Sequence, residues 1–72
     1  MDTIKFNYQG TEREALVGLI GDVEEIIYRV TLDDGYENNF FVSFKEGVWF
    51  EGNLGNTELA NIVGEAIENH FG

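Results

Sequence analysis

The sequence predicts an α+β fold: a five-stranded antiparallel β-meander packed on one C-terminal α-helix, in the order βββββα. Three observations predict it. Apolar and polar residues alternate through most of the stretch from Ile4 to Phe50, the period of half-buried strands. Glycines, and never prolines, separate the alternating runs. From Leu59 onward the apolar spacing changes to three and four, the helical period.

Ile4, Phe6 and Tyr8 alternate with Lys5 and Asn7, so the first strand covers about residues 3–8 with one buried face. Gln9-Gly10 reads as a two-residue turn into a second strand over 12–20. Gly21-Asp22 reads as another, leading to a third strand over 24–32. The next turn follows from register. A two-residue loop at Asp34-Gly35 would set Tyr28 against Phe41, the strong side of one strand against the weak side of the next. A three-residue loop, Asp33-Asp34-Gly35, pairs Tyr28 with Phe40 and Ile26 with Val42, and gives Gly35 the left-handed position of a bulged turn. A one-residue slip exchanges the faces, so the three-residue loop is expected, with a fourth strand over 36–44. Lys45-Glu46-Gly47 has the same chemistry and is expected to pair Phe44 with Val48 and Val42 with Phe50 in a fifth strand over 48–51. Working back, Val17 pairs with Ile26 and Ile4 with Ala15.

One face then collects Ile4, Phe6 and Tyr8; Ala15, Val17 and Leu19; Ile26, Tyr28, Val30 and Leu32; Phe40, Val42 and Phe44; and Val48 and Phe50. Its cover is an amphipathic helix over about 57–70, with Asn56 as N-cap and Glu58 favourable to the helix dipole. Leu59, Ile62, Val63, Ala66 and Ile67 form its apolar stripe. With no linker, repeat or low-complexity stretch, residues 1–72 are expected to form a single domain. A chain of this length builds one core with little stability to spare, and it has no cysteine to reinforce it.

On the opposite face, Lys5, Glu14 and Arg29 are ordinary solvated strand residues. Leu16, Ile20, Val23, Ile27, Phe41 and Trp49 are not. The same registers pair Leu16 with Ile27, Ile27 with Phe41 and Ile20 with Val23, making a contiguous apolar patch with Trp and Phe at its centre. That is the residue mix of an interface core, and these six residues are the expected protein-interaction surface.

Chemistry of other kinds finds little support. The chain has a single Ser, Ser43, and a single His, His70, too few for a nucleophile, base and orienting group, so no enzyme is expected. Asp33-Asp34-Gly35-Tyr36-Glu37 lacks the ligand spacing of a calcium loop, and Gly52 and Gly55 make no phosphate loop; neither metal nor cofactor is expected. A net charge of −10 disfavours direct binding to nucleic acid and to anionic membranes. With neither a signal segment nor an apolar run long enough to span a bilayer, the expected location is cytoplasmic. The expected function is a small acidic non-catalytic protein-interaction module that self-associates through the outer sheet face or docks a protein there. The alternative is an acidic inhibitor or nucleic-acid mimic, acting on a basic partner through surface carboxylates.

Overall fold

The computed structural model describes residues 2–21, 24–32, 39–52 and 54–72. Five antiparallel strands form one curled sheet in sequential order: β1 (Asp2–Tyr8), β2 (Thr11–Leu19), β3 (Ile26–Leu32), β4 (Asn39–Lys45) and β5 (Val48–Glu51). A single helix, α1 (Glu58–Phe71), follows. The βββββα α+β fold is therefore as the alternation and the change of period predict. The helix lies along the concave face and approaches β1 and β5, the two edge strands, together with β4. Buried between helix and sheet are Ile4, Phe6, Ala15, Val17, Val30, Val42 and Trp49 from the strands, with Ala60, Val63 and Ile67 from the helix.

The first hairpin has the expected register, Ile4 opposite Ala15. Gln9 and Gly10 both take positive φ, 51° and 79°, the requirement of a two-residue type I′ turn whose twist matches that of the strands. The two central pairings are displaced. Val17 lies opposite Val30, not Ile26, because the β2–β3 connection is longer than a Gly-Asp turn. The ladder closes at Leu19–Tyr28, and the amides of Ile20 and Gly21 then both donate to the Ile27 carbonyl at 2.9 and 3.3 Å. Tyr28 lies opposite Val42, not Phe40, and Ile26 opposite Phe44, not Val42. The expected turn residues Asp22 and Asp33-Asp34-Gly35 lie outside the described residues. Both displacements are by an even number of residues, so every side chain keeps its expected face.

The last hairpin is displaced by one residue, and there the faces exchange. Phe44 lies opposite Trp49, and Ser43 opposite Phe50. Glu46 and Gly47 take φ of 54° and 79°, so this turn too is a two-residue type I′ loop, where a three-residue bulged loop was expected. Trp49 consequently enters the core, and Val48 and Phe50 leave it for the outer face. Leu19 and Ile26 were also expected in the core. Both stand on the inner face but beyond the helical cover, 58% and 43% exposed.

Trp49 is held on three sides. Its indole packs against α1 at Gly64, where a Cβ would fall inside the van der Waals envelope of the ring. Its Nε1–H donates to Glu68 Oε1 one helical turn later, at 2.9 Å. Its carbonyl accepts from Asn56 Nδ2 at 2.7 Å. Asn56 is thus a strand-to-helix tie, not the N-cap; the cap is Thr57, whose hydroxyl accepts from Ala60 N at 3.1 Å and donates to Glu51 Oε1 at 2.6 Å. A cap of this kind is worth about 1 kcal/mol.

Ala in place of a helix-interior Gly is ordinarily favourable by about 1 kcal/mol. At Gly64 the expected effect is the opposite: Gly64→Ala displaces the indole and destabilises the fold by roughly 1–3 kcal/mol, as overpacking does. Denaturant unfolding followed by the fluorescence of the single tryptophan measures it. A stabilised variant would show that Trp49 does not sit on that turn.

Candidate interaction surfaces

The outer face follows from the observed registers. On β2 it carries Leu16, Gly18 and Ile20 with its continuation; on β3, Ile27, Arg29 and Thr31; on β4, Phe41, Ser43 and Lys45; on β5, Val48 and Phe50. The six residues expected there have different outcomes. Leu16, Ile20 and Phe41 are exposed, at 44%, 53% and 44%, and Ile27 is partly buried. Val23 lies outside the described residues. Trp49 is not on this face at all: at 7% exposure it is a core residue, for the register reason given above.

The neighbours within the patch also differ from expectation. Leu16 lies opposite Thr31, and Thr31 Oγ1 donates to Asn39 Oδ1 at 2.6 Å, so a polar row follows Leu16 across the sheet. Ile27 lies opposite Ser43, which lies opposite Phe50. Arg29 lies opposite Phe41, with its guanidinium carbon 5.9 Å from the ring centroid, a cation–π contact. Ile27, Phe50 and Phe41 therefore flank Ser43, with Ile20 beyond Ile27, while Leu16 stands apart beyond Arg29 and Thr31. The sequence signal for Phe50 was present, since Val48, Trp49 and Phe50 are consecutive apolar residues and either alternation fits them.

The charges are sorted between the faces. Of the four basic residues, Lys5, Arg29 and Lys45 all stand on the outer face. Of the fourteen acidic ones, the strands place only Glu12 and Glu14 there. Lys5 Nζ lies 4.0 Å from Glu14 Oε2, an exposed pair worth little by itself. Glu58, Glu65 and Glu68 are on the helix, and Glu51 is held beneath the sheet by Thr57. Among the described residues, the outward positions of the strands thus carry three cations and two carboxylates on a molecule of net charge −10, with Glu24 and Glu25 beside Ile27, Ser43 and Lys45 at one end.

A second opening lies on the inner face, at the end of the sheet where α1 terminates. Tyr28, Phe44, Trp49 and Phe71 line a cleft of about 400 Å³, with Ile67 and Glu68 on the helical wall. Ring centroids are 5.0 Å apart for Phe44–Trp49, 5.7 Å for Tyr28–Phe71 and 6.2 Å for Tyr28–Trp49. No part of this cleft was expected as a site, because Trp49 was assigned to the other face.

Ser43 stands on the outer face, and His70 is on the helix side, 3.6 Å from Asp2 Oδ1 through Nε2. The sheet separates them. Among the described residues no group of three His, Cys, Asp or Glu side chains is placed to hold a metal ion. No helix among them is long and apolar enough to cross a membrane. Comparison of the chain with protein-family models, with curated proteins and with solved structures gives no match.

The division of aromatics between core and surface has a direct consequence for stability. Phe41→Thr, on the outer face, is expected to cost less than about 1 kcal/mol, since a β-branched residue keeps the strand preference. Trp49→Ala, which empties the centre of the core, is expected to cost roughly 3–5 kcal/mol and, on a fold of this size, to abolish cooperative unfolding. Thermal unfolding of the two variants separates them; equal costs would contradict the observed β5 register.

Proposed function

We propose that the protein is a non-catalytic interaction module that self-associates through the outer face of its sheet. The observation that supports this reading most directly is the coincidence on that face of the exposed Leu16, Ile20, Phe41 and Val48 with three of the four cations. A chain of net charge −10 repels its own copies, and the repulsion is smallest where carboxylates are fewest. Two copies stacked through this face would bury Ile20, Ile27, Phe41, Val48 and Phe50 and direct their acidic helices outward. The separation of Ser43 from His70 by the sheet supports the non-catalytic part of the reading.

Size supports it as well. The molecule measures 32 × 24 × 23 Å, so its largest cross-section is comparable with the roughly 800 Å² per partner of a standard interface. Stacked sheets bury such faces at a separation of about 10 Å, with side chains interdigitating. A two-fold arrangement needs only one self-complementary patch, and the Arg29–Phe41 contact provides cationic and aromatic elements side by side for it.

Light scattering across a concentration series tests the proposal. The expected species is a dimer, converted to a folded monomer by Phe41→Thr with Phe50→Thr, the circular dichroism spectrum being retained. Association is expected to tighten as salt rises through about 0.1 M, where screening shortens the range of the general repulsion to about 10 Å. A monomer at every concentration and salt overturns the reading. Association that weakens steeply with salt would instead indicate attraction through carboxylates.

A further inference from the structure

We propose that the cleft at the C-terminal end of α1 is a binding site for a small organic cation bearing an alkylated ammonium group. Three features on its walls favour positive charge. The first is the set of four aromatic rings, Tyr28, Phe44, Trp49 and Phe71, contributed by three strands and the helix. Aromatic faces are the negative pole of the ring quadrupole, and they attract alkylammonium groups, whose charge is spread over methyl or methylene groups that water solvates poorly. The second is Glu68. Its Oε1 takes the indole Nε1–H of Trp49 at 2.9 Å, which fixes the carboxylate at the rim of the aromatic wall and leaves its second oxygen for a ligand. The third is the helix terminus itself. The last turn of α1 ends at Phe71 and Gly72, both on the cleft, and the negative end of the helix dipole falls there.

These features select among ligands. An inorganic cation would bind Glu68 but gain little from the apolar wall. A neutral apolar molecule would use the wall but neither the carboxylate nor the dipole. An anion would be opposed by all three, and by the net charge of the molecule. A cleft of about 400 Å³ is at the small end of the range for ligand sites, which suits a choline-sized molecule. Phe71 is 49% exposed, so the site is open on one side and its affinity modest, with a dissociation constant on the order of millimolar. The site lies on the opposite face of the sheet from the proposed association surface and does not depend on it.

Trp49 is the only tryptophan and lines the cleft, so the native chain reports on its own occupancy. The experiment titrates the full chain with choline at constant ionic strength, following Trp49 fluorescence and the amide and indole N–H shifts in NMR spectra. The control ligand is the neutral isostere of choline, in which a tert-butyl group replaces the trimethylammonium. Choline is expected to shift the Trp49 indole and the Glu68–Phe71 amides saturably in the millimolar range, with the neutral isostere roughly fivefold weaker or more. Glu68→Gln retains the acceptor for the indole while removing the charge, and is expected to weaken choline binding by roughly fivefold to tenfold with little change in melting temperature. Phe71→Leu, at an exposed position, is expected to weaken it likewise. Absence of saturable shifts up to about 100 mM choline overturns the proposal. So does equal binding of the neutral isostere, which would make the cleft merely apolar, or unchanged affinity in Glu68→Gln.

Discussion

The fold depends on the seating of one indole against one glycine. Trp49 comes from the shortest strand, β5, and Gly64 from the middle of the helix; their contact joins the last strand of the meander to its cover. Each residue is locally unfavourable without the other. A helix-interior glycine gives up about 1 kcal/mol of helix preference relative to alanine, and a buried tryptophan needs a partner for its N–H. The close approach answers the first condition and Glu68 the second. The same seating selects the type I′ turn at Glu46-Gly47, because only that register turns Trp49 inward. Asn56 and Thr57 then hold the helix entry against Trp49 and Glu51, so the connection after β5 is tied to the residue it must position.

The sequence was legible where parity decided the answer and illegible where parity was ambiguous. Ile4-Lys5-Phe6-Asn7-Tyr8 admits one buried face, and its register against Ala15 follows directly. In β3 and β4 the expected pairings were displaced by four and two residues, yet the face of each side chain survived, since an even displacement conserves it. Turn length was the part that could not be read, because the alternating pattern scores every second register almost equally. In β5 the run Val48-Trp49-Phe50 has no polar residue to break the tie. The information that resolves it lies fifteen residues away, in the absence of a side chain at position 64, and local periodicity does not reach that far. Helix capping failed for a related reason: Asn56 and Thr57 are both competent caps, and the choice was made by which neighbour Trp49 and Glu51 engage.

The candidate surfaces inherit this difference. The outer face retained Leu16, Ile20, Ile27 and Phe41, whose orientation does not depend on β5, and exchanged Trp49 for Val48 and Phe50. Its aromatic character is therefore preserved by a different residue. The sorting of charge was implicit in the same alternation, since Lys5, Arg29 and Lys45 share the outward parity of their strands. It becomes meaningful only when set beside the helix, where Glu58, Glu65 and Glu68 give the covered side its acidity.

Glu68 connects the stability of the fold to the cleft beside it. One carboxylate oxygen closes the hydrogen bond that a buried indole requires, and this obligation fixes where the other oxygen stands. The charge at the cleft is thus positioned by the core, not by a flexible surface side chain free to reorient. Gly72 N–H donates to the Glu68 carbonyl at 2.7 Å, so the residue that holds Trp49 also accepts a bond from the helix cap. Curling of the sheet toward α1 buries Val17, Val30 and Val42 completely but leaves Leu19 and Ile26 exposed on the inner face. Tyr28, Phe44 and Phe71 stand there within reach of solvent beside the fixed carboxylate, with Trp49 buried behind them.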